Sequence, residues 1–459
     1  MTFSKYVDMK ESRLDWVGRV PSHWEIKPLF SIFEESRQSN KGMKSTNLLS
    51  LSYGNIVRKD IGTLDGLLPE SFETYQVVKP NNIVFRLTDL QNDKRSLRSA
   101  IVKEEGIITS AYLTVVPKGI HARLASYLFR SYDLSKVFYS MGGGLRQGMK
   151  FSDIKRLPII LPPEAEQQKI AAFLDHETAK IDALIAEQQR LIELLKEKRQ
   201  AVISHAVTKG LNPNAPMKDS GVESLGEVPA HWEVSRLRWY ATIQGGLAKG
   251  KFYASEKETV ELPYLRVANV QNGHFNLDTV HTVEIAKKEV DRYLLKQGDV
   301  LMNEGGDNDK LGRGAVWNTE IDPCLHQNHV FAIRPERGLS SDWLAVFTQS
   351  ESARAYFYLH SKQSTNLASI SSSNVMSCWI PIPPEDEQDQ IMEVLKESST
   401  KLEEMVLASQ EGIRLLGERR SALISAAVTG KIDVRGWRPS ESASPELVLQ
   451  AAEEAASCG

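Results

Sequence analysis

The sequence predicts a protein of mixed α/β (α+β) class, in which two globular domains are separated by two long helices and the chain is built as an internal repeat. Residues 162–208 and 383–429 align without a gap, 221 positions apart (383 minus 162). Residues 9–26 and 217–234 match at an offset of 208 (217 minus 9) and share the run Val-Pro-x-His-Trp-Glu. Short β-type runs follow each leading segment. Each repeat is therefore expected to hold a leading segment, a globular module and a long helix.

The two aligned stretches carry the signs of long helices. Prolines precede each one, glutamates fill the first turn, and apolar residues recur every seventh position, the period of a coiled coil. The residues expected to pair the helices are Leu174, Ile181, Ile185, Leu195, Val202, Leu395, Leu402, Val406, Leu416 and Leu423. A polar middle layer, Gln188 and Ser409, is expected to fix the register. Each helix would span roughly 65–70 Å and the two would form a rod. The alternative, a pair of amphipathic helices inside a core, is disfavoured by the sustained heptads and charged flanks.

The composition is that of a globular protein of two or three domains. The chain has 459 residues, of which 41% are hydrophobic and 25% charged. The polar start lacks the apolar core of a signal peptide, and no apolar run approaches membrane-spanning length. Three scattered cysteines (Cys324, Cys378 and Cys458) indicate a reducing compartment without a disulfide framework. A cytoplasmic location is expected.

Charge is distributed unevenly along the chain. Residues 1–160 hold 24 Lys and Arg against 16 Asp and Glu, a formal charge of +8, whereas residues 383–459 hold 8 against 15, a charge of −7. A basic first domain fits a polyanionic partner, although many solvated faces are equally basic. The second domain receives no such support from its net charge and needs local signals.

Two loops of each module carry such signals. The segments 81–102 and 298–317 both run strand, polar loop, strand, with Asn-Asp-Lys in each loop. Asn, Gln and Arg side chains can hydrogen-bond base edges in DNA, while an ordinary hairpin turn would explain the Asn and Asp as well. A second loop precedes the last strand of each module, within 142–162 and 364–384. The first is basic enough to follow phosphates; the second offers neutral donors.

Motifs of catalysis are missing from the sequence. Gly245–Lys251 resembles a phosphate loop, but Phe252 stands where a Ser or Thr must hold Mg²⁺. Cys324, His326 and His329 lack the fourth ligand of a structural zinc site, so packing and polar contacts are expected of them. The repeated His23 and His231 follow a Pro and precede a Trp, which favours a structural turn over catalysis. The chain is expected to be non-catalytic by itself.

In its architecture the chain resembles the specificity subunits of type I restriction–modification systems. The resemblance covers residue 9 to about residue 437. Its most specific parts are the two Val-Pro-x-His-Trp-Glu runs, the two Pro-Pro-Glu-x-Glu-Gln helix starts and the Ile-Ser-x-Ala-Val-Thr helix ends. The Gly305–Trp317 stretch and the Leu-Gln-Asn-Asp-Lys stretch, residues 90–94, are similar to target-recognition sequences of that family.

The resemblance implies two target-recognition domains in inverted orientation, separated by an antiparallel helix pair. Each domain would read one half of a bipartite double-stranded DNA site, and the helix pair would set the gap between the halves. Two modification (methyltransferase) subunits would bind S-adenosylmethionine and methylate adenine. Restriction (motor-nuclease) subunits would use ATP and Mg²⁺. No cofactor or metal is expected on this chain, and no membrane is expected as a partner.

The resemblance also implies site residues and domain limits. The DNA-contacting residues expected in the first domain are Arg86, Gln91, Asn92, Lys94, Arg95, Arg98, Arg146, Gln147 and Lys150. Those in the second domain are Asn303, Asn308, Lys310, Arg313, Gln327 and Asn328. The expected segments are recognition domain 1 (1–161), spacer helix 1 (162–209), a linker (210–227), recognition domain 2 (228–382), spacer helix 2 (383–430) and a tail (431–459). The rival interpretation is a duplicated coiled-coil adaptor that binds proteins and does not read DNA.

Overall fold

The structure is a computed structural model that describes residues 4–62, 71–88, 97–141, 148–248, 258–306, 311–363 and 368–439. Contacts divide the chain into unit 1, residues 1–188 with 411–459, and unit 2, residues 189–410. The strands of unit 1 are β1 (Met9–Glu11), β2 (Arg19–Pro21), β3 (Glu25–Pro28), β4 (Phe33–Ser36), β5 (Leu49–Ser52), β6 (Asn55–Arg58), β7 (Gln76–Val78), β8 (Ile83–Phe85), β9 (Ser99–Ile101), β10 (Gly106–Ile108), β11 (Leu113–Pro117) and β12 (Pro158–Leu161). Its own helices are α1 (Ala122–Leu134) and α2 (Phe151–Ile154), and α3 (Glu164–Lys209) runs through both units.

Unit 2 continues the same order of elements. Its strands are β13 (Met217–Asp219), β14 (Glu227–Pro229), β15 (Glu233–Arg236), β16 (Ala241–Gly245), β17 (Thr259–Leu265), β18 (His281–Ala286), β19 (Val300–Asn303), β20 (Gly305–Gly306), β21 (Gly314–Val316), β22 (Leu325–His326), β23 (Val330–Pro335), β24 (Lys362–Gln363), β25 (Ala368–Ser369) and β26 (Trp379–Ile382). Its helices are α4 (Val290–Tyr293), α5 (Ser341–Phe347), α6 (Glu351–Leu359) and α7 (Ser372–Met376), and α8 (Glu385–Val428) runs through both units.

The central sheets of the two units have the same topology. In unit 1 the antiparallel order is β4-β11-β8-β9, and in unit 2 it is β16-β23-β19-β21. Each module is closed by pairing of its first and last strands, β3 with β12 and β15 with β26. Each leading segment forms a hairpin, β1-β2 or β13-β14. The predicted fold class and internal repeat are confirmed.

The long helices α3 and α8 run antiparallel. In unit 1 Asp182 pairs with Arg420 (2.8 Å), and a Cβ on Gly412 would lie 4.0 Å from Gln188 Oε1, so residue numbers fall along one helix as they rise along the other. In unit 2 Arg199 pairs with Glu403 (2.9 Å). These two ion pairs occupy equivalent positions of the repeat, 221 residues apart. Each helix is followed within two residues by a glycine of positive φ, Gly210 (75°) or Gly430 (71°), a conformation that suits glycine after a helix C-terminus.

The ten residues predicted to pair the helices are buried or half-buried. Leu174 and Ile181 pack in the core of unit 1, and Leu395 packs in the core of unit 2. The predicted polar layer is also turned inward, since Ser409 is buried and Gln188 half-buried. Among the described residues, no helix is long and apolar enough to cross a membrane.

The repeated sequence motifs join each leading segment to the start of a long helix. In unit 1 the Glu166 carboxylate accepts hydrogen bonds from Tyr6 Oη (2.7 Å) and Trp24 Nε1 (3.0 Å), and it contacts His23 Nε2 (2.7 Å). In unit 2 the equivalent Glu387 contacts His231 Nε2 at 2.7 Å. The expected structural role of the two histidine turns is thus visible.

The glutamines that follow these glutamates fix the loop before each long helix. Gln167 Oε1 accepts from the His121 backbone N–H (2.7 Å), and its amide donates to the Pro162 carbonyl (2.9 Å). Gln388 does the same with Ser340 (2.9 Å) and Pro383 (2.9 Å). The Pro-Pro-Glu-x-Glu-Gln motif is therefore a joint between module and helix in each unit.

Replacing Glu166 by alanine is expected to lower the unfolding free energy of unit 1 by roughly 2–4 kcal/mol, because buried donors of Tyr6 and Trp24 lose their acceptor. The matched change Glu387→Ala should cost less than about 1 kcal/mol, since the contact it removes is with the exposed His231. Hydrogen exchange of unit 1 and unit 2 peptides in each variant measures both. Equal losses of unfolding free energy in the two units would contradict the assignment of Glu166 as a buried acceptor and of Glu387 as an exposed one.

The same joint predicts a pH dependence. Burial raises the pKa of Glu166, but the hydrogen bonds from Tyr6, Trp24 and His23 outweigh it and hold that pKa below its usual range. A lowered carboxylate pKa stabilises the fold above the unfolded pKa and loses that stabilisation as the pH falls. The stabilities of the wild type and Glu166→Gln should therefore differ at pH 7 and converge in acid.

Candidate nucleic-acid interface

In unit 1 the stems of the two loops predicted to contact DNA lie side by side. The backbone N–H of Met149 donates to the carbonyl of Leu87 (2.9 Å), which joins the chain before residues 89–96 to the chain after residues 142–147. The predicted contacts Gln91, Asn92, Lys94, Arg95, Arg146 and Gln147 fall in these two loops, outside the described residues. The two loops thus arise from a common base, as one composite reading surface requires.

Arg98 holds these two loop stems in place through hydrogen bonds of its side chain and its backbone. Its side chain is buried and donates to the Thr88 carbonyl (3.0 Å) and to Tyr139 Oη (3.2 Å). Its backbone N–H donates to the Asp133 carboxylate (2.7 Å). Direct contact of Arg98 with DNA was predicted, and its burial corrects that prediction: the guanidinium holds the loop base instead.

Two further predicted residues of unit 1 are accessible. Lys150 is exposed, and its backbone N–H donates to the Asp153 carboxylate (2.8 Å) at the start of α2. Arg86 is half-buried, and its backbone N–H donates to the carbonyl of Arg98 (2.8 Å). Both lie at the loop base with side chains that solvent reaches, so they keep the predicted role as candidates.

The loop stems of unit 2 meet in the same way. Strand β20 pairs with β25, and the Ile370 backbone N–H donates to the carbonyl of Glu304 (2.9 Å), beside the loops 307–310 and 364–367. A Cβ on Gly305 would approach the Ala368 carbonyl to 2.6 Å, so glycine permits this close pairing. The predicted contacts Asn308 and Lys310 lie in the first loop, outside the described residues.

Asn303 is buried and structural. Its amide donates to the carbonyls of Val270 (3.0 Å) and Val267 (3.4 Å). Its backbone N–H donates to the carbonyl of Arg313 (2.9 Å), the same link that joins Arg86 to Arg98 in unit 1. The predicted DNA contact of Asn303 is therefore corrected, whereas the half-buried Arg313 remains a candidate.

A third stem joins this base in unit 2. The Asn328 backbone N–H donates to the carbonyl of Leu247 (3.1 Å), next to the loop 249–257. Gln327 and Asn328 are half-buried, so solvent reaches the two predicted side chains. The Asn328 amide lies 3.3 Å from His329 Nε2, and His329 Nδ1 lies 2.7 Å from the Glu304 carboxylate. The chain brings amide, imidazole and carboxylate groups together at one surface.

Cys324 and His326 belong to the core below this surface. Burial lowers the pKa of His326 to about 4, so its ring is neutral at pH 7, and Nδ1 donates to the Val330 carbonyl (2.7 Å). Burial raises the pKa of the Cys324 thiol to about 12. Within the described ranges, no group of three or more His, Cys, Asp or Glu side chains could hold a metal ion.

Sequence reasoning missed the groups that support the loop bases. Asp133 of α1 is buried, and its Oδ2 accepts from the backbone N–H of Arg98 (2.7 Å), the backbone N–H of Ser99 (3.1 Å) and Ser99 Oγ (3.2 Å). A signal was present in the sequence, since Asp133 lies four residues after Phe129 and therefore on the same face of the helix. Glu304 and His329 were also missed as members of the site.

Comparisons with known proteins agree with this architecture. The sequence profile of the type I restriction modification DNA specificity domain matches residues 21–194 and 229–409, well over half of the chain. The chain is 22% identical to the type I restriction enzyme EcoKI specificity subunit of Escherichia coli strain K12, over 94% of this chain and 93% of that protein. It is 23% identical to the putative type I restriction enzyme MjaX specificity subunit of Methanocaldococcus jannaschii, over 91% and 96%.

A solved structure shares the fold. In work on the assembly and conformational transition of the type I restriction–modification system, one chain superposes with a TM-score of 0.65 at 17% identity, over 90% of this chain and 99% of that one. Two similar modules, an antiparallel helix pair and the profile match across both repeats lead to one conclusion. The chain belongs to the family of type I restriction–modification DNA specificity subunits.

Proposed function

We propose that this chain is the non-catalytic specificity subunit of a type I restriction–modification complex and that each of its two modules reads one half of a bipartite DNA site. The observation that carries the proposal is the duplicated loop base. In each unit, the described residues that flank the loop after β8 or β19 hydrogen-bond to the described residues that flank the loop before β12 or β26. Two reading surfaces on one chain fit a target with two halves.

Within each reading surface, polar side chains of the loops would hydrogen-bond base edges. Arg and Lys suit guanine, and Asn and Gln suit adenine. Arg86 and Lys150 in unit 1, and Arg313, Gln327 and Asn328 in unit 2, are the accessible described candidates. The loop residues beyond the described ranges complete the set. The antiparallel helices would set the length of the unread gap.

The helix pair would also bind two modification subunits. Leu184 and Met405 are half-exposed (51% and 48%) and are equivalent positions of the repeat, as are Leu194 (44%) and Leu415 (51%). By the register of the two ion pairs, Leu184 and Leu415 lie within about a turn of each other in unit 1. Exposed apolar side chains repeated in both units suit one partner that binds twice.

Catalysis would reside in the partners. The modification subunits would bind S-adenosylmethionine and methylate adenine, and restriction subunits that use ATP and Mg²⁺ would join for DNA cleavage. This chain would contribute DNA recognition and no cofactor. Its place of action would be the cytoplasm, where its DNA target and partners meet.

Methyl transfer tests the proposal. The chain, its co-encoded modification subunit and both together are incubated with plasmid DNA and radiolabelled S-adenosylmethionine. The proposal predicts labelled DNA only when both proteins are present. Equal labelling by the modification subunit alone, or labelling by this chain alone, would contradict it. A complex that assembles but never labels or retains DNA would favour the protein-binding adaptor.

The double variant Lys310→Ala/Arg313→Ala tests the loop assignment in unit 2. We expect weaker DNA binding by the complex and a logarithmic salt slope shallower by about 1–2, because each lost phosphate contact removes roughly one unit of slope. Lys296→Ala is the matched control, since Lys296 is exposed in the same unit but lies in another segment. Binding titrations at several salt concentrations measure both. An unchanged affinity and slope in the double variant would show that this loop does not contact DNA.

A further inference from the structure

Unit 1 contains a polar cleft of about 590 Å³ that the reading surface does not use. One wall is formed by the long helices, with Asp175, Asp182 and Arg420. The other is formed by the module, with Lys103, Arg123 and Arg130. Among the described lining residues, four cations therefore face two carboxylates, a formal charge of +2.

Two of the four cations are already neutralised. Arg123 forms an ion pair with Asp175, and Arg420 contacts Asp182 through Nε (2.8 Å) and Nη2 (3.2 Å). Among the described residues, Arg130 makes one hydrogen bond, from Nη2 to the carbonyl of Gly54 (2.5 Å), and it has no carboxylate within ion-pair distance. Burial lowers the pKa of the Arg130 guanidinium. The charge of the buried Asp133 carboxylate, beyond ion-pair distance, offsets the cost of this burial only in part, and an anion entering the cleft would relieve the remaining cost.

The backbone of Gly54 leaves room for the Arg130 guanidinium at the cleft wall. Gly54 has φ of +74°, a conformation that L side chains rarely adopt, and a Cβ there would collide with the guanidinium. Lys103 is exposed at the rim, and within the described part of the chain its ammonium group has no hydrogen-bond or ion-pair partner. Arg130 and Lys103 are thus the two cations available to a ligand.

Unit 2 has a cleft of about 450 Å³ whose lining is equivalent in part. Arg199 and Ile203 line it, and they are the repeat equivalents of Arg420 and Ile424 in unit 1. Its other charged lining residues are Lys196, Arg354, Glu197 and Glu351. A feature present in both units suits a ligand that binds the chain twice.

In both units, a hydrogen bond also joins a long helix to the module near the cleft. In unit 1, Ser131 Oγ of α1 lies 3.0 Å from Ser425 Oγ of α8. In unit 2, the Glu351 backbone N–H donates to Ser204 Oγ of α3 (2.9 Å). Ser204 and Ser425 are equivalent positions, 221 residues apart. An equivalent serine of the long helices therefore contacts the module in each unit.

The position of the unit 1 cleft favours a protein ligand over DNA. Asn81 and Lys103 flank the start of β8 and the end of β9, whereas the loop 89–96 joins the opposite ends of these strands. The distance along this strand pair is roughly 20 Å at 3.3 Å per residue. The cleft and the reading loop thus lie at opposite ends of one hairpin, and the cleft includes the helix pair proposed to bind the modification subunits.

We propose that each cleft receives a carboxylate-bearing segment of a modification subunit, with Arg130 and Lys103 as its cationic contacts in unit 1. The proposal rests on the proposed function, because it assigns a contact within that assembly. It adds an electrostatic contact to the apolar contacts of the helix pair.

The test uses the full chain co-expressed with its modification subunit. Lys103→Glu with Arg130→Gln removes both free cations, while the glutamine amide can still donate to the Gly54 carbonyl. Native mass spectrometry should show two modification subunits bound to the wild-type chain and one to this variant, because the cleft of unit 2 is intact. Lys155→Glu, an exposed lysine elsewhere in unit 1, is the matched control and should keep two.

A second variant keeps the test valid if the double variant fails to fold. Lys103→Glu alone removes no described hydrogen bond and should weaken binding of one modification subunit by about tenfold, a change of about 1.4 kcal/mol. Unchanged stoichiometry and affinity in both variants would overturn the proposal. Unchanged stoichiometry with weaker DNA binding would also overturn it and would identify a phosphate as the occupant. A wild-type chain that binds no modification subunit would instead refute the proposed function.

Discussion

Exchanging residues 28–161 for the corresponding segment of another specificity subunit is expected to change one half of the DNA target and leave the other half unchanged. The segment is a natural unit, because β3 and β12 pair at its two ends, with Pro28 opposite Pro158. Its loop base is assembled from its own residues, Leu87, Arg98 and Met149 among them. Affinity for the original half-site should fall at least about a hundredfold, since each mismatched base pair costs roughly 1–3 kcal/mol.

The reciprocal exchange of residues 235–382 is the matched control. It should alter the other half of the target and keep the first. Competition binding with DNA that carries either half-site in original or altered form measures both exchanges. If either exchange changed both halves, or if neither changed any, the two modules could not be independent readers.

Replacing Asp133 by alanine is expected to cost unit 1 roughly 3 kcal/mol of unfolding free energy. The change leaves the backbone N–H groups of Arg98 and Ser99 and the hydroxyl of Ser99 without their buried acceptor. Arg98 carries the loop base, so local opening there should increase most. Hydrogen exchange of residues 97–102 measures the effect. Asp8→Ala, at an exposed position of the same unit, should change nothing measurable.

The titration of Asp133 gives this prediction a second readout. Burial raises the pKa of Asp133 to about 6 despite the hydrogen bonds from Arg98 and Ser99. A raised carboxylate pKa means that ionisation opposes folding, so the contribution of Asp133 to stability declines as the pH rises from about 4 to 6. Asp133→Asn does not titrate and should gain stability relative to the wild type over that interval. If the difference in stability between Asp133→Asn and the wild type stayed constant over that interval, the burial of the Asp133 carboxylate would be contradicted.

The repeat and the long helices could be predicted because their signals are local and periodic. Predicted stretches at 162–208 and 383–429 became helices Glu164–Lys209 and Glu385–Val428. The role of the His-Trp-Glu and Glu-Gln motifs could not be derived in the same way. Glu166 meets His23 across 143 positions of sequence, and only the folded chain brings the two motifs together.

The candidate site was predictable as loops and less so as single residues. The sequence indicated that two loops per module carry Arg, Asn and Gln, and the structure joins the bases of those loops. Arg98 and Asn303 were misplaced because one directly precedes a short strand and the other ends one, where residue type does not reveal which side chains turn inward. Burial depends on distant partners such as Asp133 and Val270.

Selection from a random DNA library is the most direct measurement of the central claim. The chain is purified with its modification subunit, and bound duplexes are sequenced after successive rounds. Two reading modules on one helix pair predict two short half-sites at a constant separation. A single contiguous motif would mean that one module does not read DNA, and a folded complex that enriches no sequence would contradict DNA recognition by this chain.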